Sequence, residues 1–208
     1  MTPLPLAPLA EGFAISLGLI VAIGAQNAFI LRQGLLRSHV FALCLFASLS
    51  DALLVSLGVA GVGTFVASSQ TLRTLMTLGG AIFLTVYGVL AARRALSPST
   101  LKAASGKAPG LRAALATLFA FTFLNPHVYV DTLLLVGSLS ARFEGPGRLA
   151  FGVGAASASF VWFFALGYGA RLLAPLFARP SAWRVLDALI AVVMFAIALS
   201  LLASLGAG

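Results

Sequence analysis

Gly24-Ala25-Gln26-Asn27, followed by Leu31-Arg32-Gln33-Gly34, lies inside an apolar run from Gly12 to Leu31. A membrane-crossing helix needs roughly 20 such residues, and the run is long enough. Hydrocarbon offers no partner to a carboxamide, so Gln26 and Asn27 side by side predict a break in the helix that faces protein or water. The stretch is therefore a candidate working site within a membrane.

Composition points the same way. With 61% hydrophobic and 9% charged residues and a mean hydropathy of +1.08, the chain lies far outside soluble averages. It reads as an all-α integral membrane protein. Six apolar stretches approach or exceed the spanning length: Gly12 to Leu31, Val40 to Val66, Leu75 to Ala92, Ala113 to Leu139, Leu149 to Leu173 and Val185 to Leu205. Met1 to Ala10 contains Pro3, Pro5 and Pro8 but no Lys or Arg, which is no signal-peptide n-region, so the first span is expected to be retained. Cys44 is the sole cysteine and sits in an apolar run. It is expected to be a packing residue, with neither an intramolecular disulfide nor a thiolate metal cluster within reach.

The cations are distributed unevenly. Connections after spans one, three and five hold Arg32, Arg37, Arg93, Arg94, Lys102, Lys107, Arg112, Arg171, Arg179 and Arg184, whereas the other side holds only Arg73, Arg142 and Arg148. Lys and Arg are retained on the cytoplasmic side, so a six-span reading places both termini outside. The net charge of +8 is then a consequence of topology. Nucleic-acid binding is excluded, because the cations form no aromatic-interleaved patch on a soluble domain.

The polar connection from Leu96 to Gly110 divides the chain nearly in half and suggests two three-helix repeats, 1–104 and 105–208. Asn27 and Asn125 occupy corresponding places in spans one and four. The spacing of Ser50 to Gly58 matches that of Ser159 to Gly167, and Leu78 and Ile82 match Leu186 and Ile190. Three spans per half is odd, so the halves are expected to be inverted relative to each other. Inverted repeats with broken helices are a transporter signature, with the binding site between the halves.

The second break is expected at Leu124-Asn125-Pro126-His127. Pro126 removes a backbone donor and disfavours helical geometry at Asn125, while Asn as N-cap and Pro at the first helical position start a new helix well. The N-terminus of that half-helix carries partial positive charge and attracts a carboxylate. Acidic residues supply the opposite sign. Asp51 stands about 16 Å into span two, near the midplane of a roughly 30 Å core, where a charge costs about 2.5–3.5 kcal/mol on insertion scales. Packing does not require it there. Asp131 shares a helical face with His127 and is expected to line the same cavity. Asp187, three residues after Arg184, is expected to form an interfacial ion pair.

A cavity with carboxylates for cations and helix ends for an anion suits a zwitterion with an additional positive charge, a basic amino acid. An embedded Asp that exchanges a proton for that cation provides a means of coupling. A hydrolase would need a nucleophile and a base, and neither His39 nor His127 has a serine context. Two His and one Cys are too few for a soft-metal site, although Asp51, Asp131 and Asn side chains could hold a hard cation. No cofactor is expected. Gly58, Gly61 and Gly79-Gly80 permit close helix packing within the chain or in a homo-oligomer.

Gly24-Ala25-Gln26-Asn27-Ala28-Phe29-Ile30-Leu31-Arg32-Gln33-Gly34 resembles the signature of the LysE/ArgO family of basic amino acid exporters, with support from Ser50-Asp51-Ala52-Leu53-Leu54 and Leu124-Asn125-Pro126. The resemblance covers nearly the whole chain. It implies export of lysine, arginine or close analogues from the bacterial cytoplasm, driven by the ion gradient across the inner membrane. On that basis Asp51 and Asp131 occupy the positions of the family's functional acids, with Gln26, Asn27, Asn125, His127 and Tyr129 around them. Homoserine and threonine exporters typically carry a Pro-Gly-Pro-type sequence in place of Gly-Ala-Gln-Asn, and fit less well. His127 stands where such proteins often have a small or amide residue.

Overall fold

A computed structural model of the chain describes residues 5–21, 24–62, 70–96 and 109–206, with the side chains of 70, 72, 73, 76, 126, 127, 205 and 206 left aside. Lys102 and Lys107 lie outside the described residues. All secondary structure among the described residues is helical. Its elements are α1 (Leu6–Val21), α2 (Ala25–Leu35), α3 (Val40–Val59), α4 (Gln70–Leu96), α5 (Leu111–Phe123), α6 (Pro126–Tyr129), a π-helix (Val130–Val136), α7 (Gly137–Ser140), α8 (Gly145–Gly169), two 3₁₀ turns (Ala170–Leu173 and Leu176–Ala178) and α9 (Pro180–Gly206).

Four unbroken helical stretches are long and apolar enough to cross a membrane: Val40–Val59, Thr77–Leu96, Gly145–Leu173 and Pro180–Ser204. The first expected span is instead a bent pair. α1 and α2 pass that test together, and their axes differ by 79°. The break precedes Gly24, the N-cap of α2, so Asn27 stands in the first turn of the second half-helix and not at the break itself. The fourth expected span is divided as well. α5 ends at Phe123, and the helical path resumes at Pro126, whose first turn is closed by Val128 N–H donating to the Asn125 carbonyl at 3.1 Å. Proline thus stands first in the new helix, with Asn125 in the cap position.

Helix directions follow from the contacts. Cys44 meets Phe163, Ser48 meets Ser159, and Val59 lies beside Gly152, so α3 and α8 run antiparallel. Gly80 beside Leu201, Gly88 beside Met194 and Arg94 against Asp187 make α4 and α9 antiparallel too. Along α1 and α8 the numbers rise together, from Pro8 with Gly147 to Phe13 with Gly154, and these two helices run parallel.

Glycines set the closest approaches. A methyl on Gly58 would lie 2.6 Å from the Thr132 carbonyl oxygen, and one on Gly137 would lie 2.6 Å from the Gly58 carbonyl oxygen, pressing α3 onto the π-helix and α7. A methyl on Gly34 would run into the Gly167 carbonyl, bringing α2 onto the end of α8. Small residues allow this backbone-to-backbone packing where lipid gives helices no hydrophobic reason to associate.

Outward faces are apolar, with Phe41, Leu53, Ile82, Val161 and Val192 all more than half exposed, while Ser48, Asp51, Thr122 and Ser159 are buried. That distribution is suited to a lipid surround. Several hydroxyls satisfy themselves on the preceding turn, Ser48 on the Cys44 carbonyl at 2.8 Å and Thr122 on that of Leu118 at 3.0 Å. Cys44 is fully buried and its thiol donates to the Phe163 carbonyl at 3.1 Å, the packing role expected of it.

Candidate functional site

The two breaks face one cavity. It has a volume of about 240 Å³, and its wall includes Gly24, Ala25, Gln26 and Asn27 from the first break, Asn125 from the second, and Asp51, Asp131 and Ser159 from the helices between. Drug-sized ligand sites run to about 300–1,000 Å³, so this space suits a single small solute. Phe121 and Phe163 form apolar parts of its lining.

Asp51 is 4% exposed, and its Oδ2 accepts from the Ser159 hydroxyl at 3.1 Å. α3 supplies the acid and α8 the hydroxyl at the place where the two helices cross. Asp131 is half-buried and is the second residue of the π-helix. The helix is wider from Val130 onward, so the i,i+4 face anticipated for His127 and Asp131 does not continue as a regular α-helical stripe. Single π insertions in helices frequently mark functional sites. The His127 side chain lies outside the described residues.

Asn27 lines the cavity, yet its amide is engaged by the protein. Nδ2 donates to the Ile20 carbonyl at 2.5 Å, and Oδ1 accepts from the Trp162 indole N–H at 3.1 Å. It therefore ties the end of α1 and the middle of α8 to the start of α2. Tyr129 is outside the cavity wall, with its hydroxyl donating to the Phe123 carbonyl at 2.9 Å, the last carbonyl of α5. It spans the second break and holds it.

Two polar atoms at the cavity have no hydrogen-bond partner among the described residues, Gln26 Nε2 and Ser16 Oγ. The first turn of α2 has no side-chain cap. This uncapped helix start and the Gln26 amide together form a donor-rich patch, the kind of end that receives a carboxylate. Sequence reading did not single out Ser16, Ser159 or Trp162 as site residues. Ser159 was visible only as part of a repeat spacing, and nothing in the local pattern around Ser16 or Trp162 marks a neighbour that is remote in sequence.

Exchange of Trp162 for Phe removes the indole donor and leaves Asn27 Oδ1 buried. A stability loss of about 0.5–1.5 kcal/mol is expected for the lost hydrogen bond, read as a lower melting temperature of the detergent-solubilised protein.

Away from the cavity, Asp187 is 1% exposed and meets Arg94 at 2.9 Å and Arg32 at 3.5 Å. The ion pair anticipated at the membrane interface near Arg184 is thus a buried one that includes arginines from α2 and α4. Their meeting places the ends of α2 and α4 and the start of α9 on one face of the molecule. At the opposite end Arg142 pairs with Glu11.

An all-helical membrane protein with two broken helices around a polar, acid-lined cavity has the build of a solute transporter. The chain belongs to the LysE type translocator family, whose model matches residues 17–205. It is 39% identical over 193 residues to the arginine exporter protein ArgO of Salmonella enteritidis, covering 92% of this chain and 91% of the relative. It is 43% identical over 182 residues to a Mycobacterium tuberculosis protein whose name assigns it provisionally to amino-acid transport, covering 88% and 90% respectively. A similarly named protein of Aeromonas salmonicida is 38% identical over 192 residues, covering 92% and 93%. No solved structure matches the chain.

Proposed function

We propose that the protein exports basic L-amino acids, arginine or lysine, across the bacterial inner membrane, with the proton gradient as its driving force. The observation that carries this reading is that one cavity is lined by Asp51 and Asp131 together with the uncapped start of α2 and Gln26. Carboxylates receive the side-chain cation, and the helix end with the Gln26 amide receives the α-carboxylate. The likeness to an arginine exporter over nearly the full length supports the same cargo. Asp51 is the group that would exchange a proton for the substrate cation, since it is deeply buried and carries a hydroxyl partner on α8.

The halves 1–104 and 105–208 act in this reading as inverted repeats that rock about the cavity. Antiparallel α3 with α8 and α4 with α9 support it, because these are the pairs that repeat mates would form. So does the exchange of glycine contacts, Gly58 with Gly137 in one case and Gly167 with Gly34 in the other. A metal cation is the less favoured cargo, since among the described residues no three His, Cys, Asp or Glu side chains converge.

Counterflow tests the proposal. Vesicles preloaded with unlabelled arginine are expected to accumulate labelled arginine or lysine, and to do so faster with an imposed pH gradient. Absence of exchange together with metal flux would overturn it.

A further inference from the structure

We infer that Arg32, Arg94 and Asp187 form a docking subsite for the α-amino and α-carboxylate groups of the amino acid at the cation-rich face, and that the empty subsite locks that entrance. The inference rests on the reading of the chain as an amino-acid exporter.

The cluster joins three helices. Arg32 comes from α2, Arg94 from α4 and Asp187 from α9, so elements from both halves of the chain meet in it. Its guanidinium groups are also seated on aromatic rings, Arg94 over Tyr87 at 5.6 Å and Arg32 over Trp183 at 5.9 Å. Arg94 Nε donates to Asp187 Oδ1 at 2.9 Å. Even so, three buried atoms are left without a hydrogen-bond partner among the described residues: Arg32 Nε, Arg94 Nη2 and Asp187 Oδ2.

Buried charged groups are expensive to leave unpaired, and a purely structural ion pair would be expected to use them. Here Arg32 Nε has only an ion-pair contact with Asp187 Oδ1 at 3.5 Å, and Arg94 Nη2 and Asp187 Oδ2 have no hydrogen-bond partner among the described residues: two cationic donors and one anionic acceptor. An amino-acid head group supplies the complement of all three, a carboxylate to accept from the arginines and an ammonium to donate to Asp187 Oδ2. Two arginines against one aspartate leave the cluster with an excess positive charge. That excess repels the basic side chain of the substrate and turns it forward, toward the acids of the cavity.

The path from the cluster to the cavity is closed by aromatic rings. Tyr87, on which Arg94 rests, lies edge-on to Phe121 with centroids 4.9 Å apart, and Phe121 is part of the cavity wall. Phe29 completes the layer at 5.7 Å from Phe121. Arg32 is five residues beyond Asn27 on α2, about 7.5 Å along the axis at 1.5 Å per residue. When the substrate head group takes over the donors of Arg94, the guanidinium loses its hold on Asp187, and Tyr87 beneath it is free to turn. Docking and opening are then the same event.

The test uses the full chain reconstituted in liposomes, with labelled arginine exchange measured separately from each face. Arg94→Gln is expected to raise KM at the cation-rich face about tenfold, the loss of one charge-assisted contact, and to leave KM at the other face within about twofold of wild type. Arg94→Lys keeps the charge opposite Asp187 but lacks the second nitrogen of the fork, and is expected to raise the same KM while folding normally. Arginine lacking its α-carboxylate is expected to compete poorly for wild type at that face, and to fall less far behind arginine for Arg94→Gln, the difference that remains being that of the central cavity. Equal KM changes at both faces, or none at either, in a wild-type background that exchanges arginine would overturn the subsite alone. Failure of wild type to exchange any basic amino acid would instead overturn the export reading on which it rests.

Discussion

Asp51→Asn is expected to lower arginine exchange by at least about thirtyfold while leaving the amount of membrane-inserted protein unchanged. The side chain is 4% exposed and its one described hydrogen bond comes from Ser159 on another helix. Asparagine keeps the shape and can still accept from that hydroxyl, so the fold has little to lose. What disappears is the charge. Truncating one partner of a buried, hydrogen-bonded charge pair costs about 2–5 kcal/mol, and each 1.4 kcal/mol is about a factor of ten. Asp131→Asn is expected to cost less, about tenfold, because Asp131 is half-exposed at the cavity and water screens its interaction with a cation. Exchange rates in liposomes, normalised to protein abundance, check both values. Wild-type exchange by Asp51→Asn would show that the carboxylate does not carry the substrate charge or the proton.

Gly58→Leu is expected to prevent stable folding. Even the first carbon of a side chain there would stand 2.6 Å from the Thr132 carbonyl oxygen and 3.0 Å from Leu133 backbone atoms. Backbone cannot step aside as a side-chain end can, so α3 would have to separate from the π-helix that carries Asp131. Overpacking typically costs about 1–3 kcal/mol when neighbours relax, and here rigid main chain limits relaxation. Gly18→Leu is the control, since nothing lies within 4 Å of its side-chain position and the residue faces outward. Thermal unfolding followed by size-exclusion chromatography is expected to show loss of the monodisperse peak for Gly58→Leu and an unchanged midpoint for Gly18→Leu. Equal behaviour of the two would remove the close approach from the account of the fold.

Much of the architecture was legible because a membrane constrains sequence strongly. The apolar stretches, their lengths and the Pro126 restart all follow from the need to satisfy backbone groups in hydrocarbon. Carboxamides and acids in such a setting stand out by their cost, and five of the seven expected site residues, Gln26, Asn27, Asp51, Asn125 and Asp131, meet at one cavity. Tyr129 was chosen by its neighbours in sequence and is turned to the Phe123 carbonyl instead. The expected partner of Asp187 was local, Arg184, because only i,i+3 and i,i+4 neighbours can be read from a helix. Its buried contacts with Arg32 and Arg94 come from more than ninety residues away.

The sequence by itself determined that the chain is helical and membrane-embedded, that two of its apolar stretches are broken, and which polar groups are too costly to be accidental. Those conclusions depend on each residue's cost in lipid and on the chain's local geometry, and both are properties of short stretches. Only the tertiary structure decided what each polar group meets. It gave Ser159 to Asp51, Trp162 to Asn27 and two arginines to Asp187, and it left Ser16 Oγ, Gln26 Nε2 and part of the arginine cluster without a hydrogen-bond partner among the described residues. The reason is physical: helix packing brings together residues that no periodicity connects, and hydrogen bonding depends on tenths of an ångström that packing alone sets.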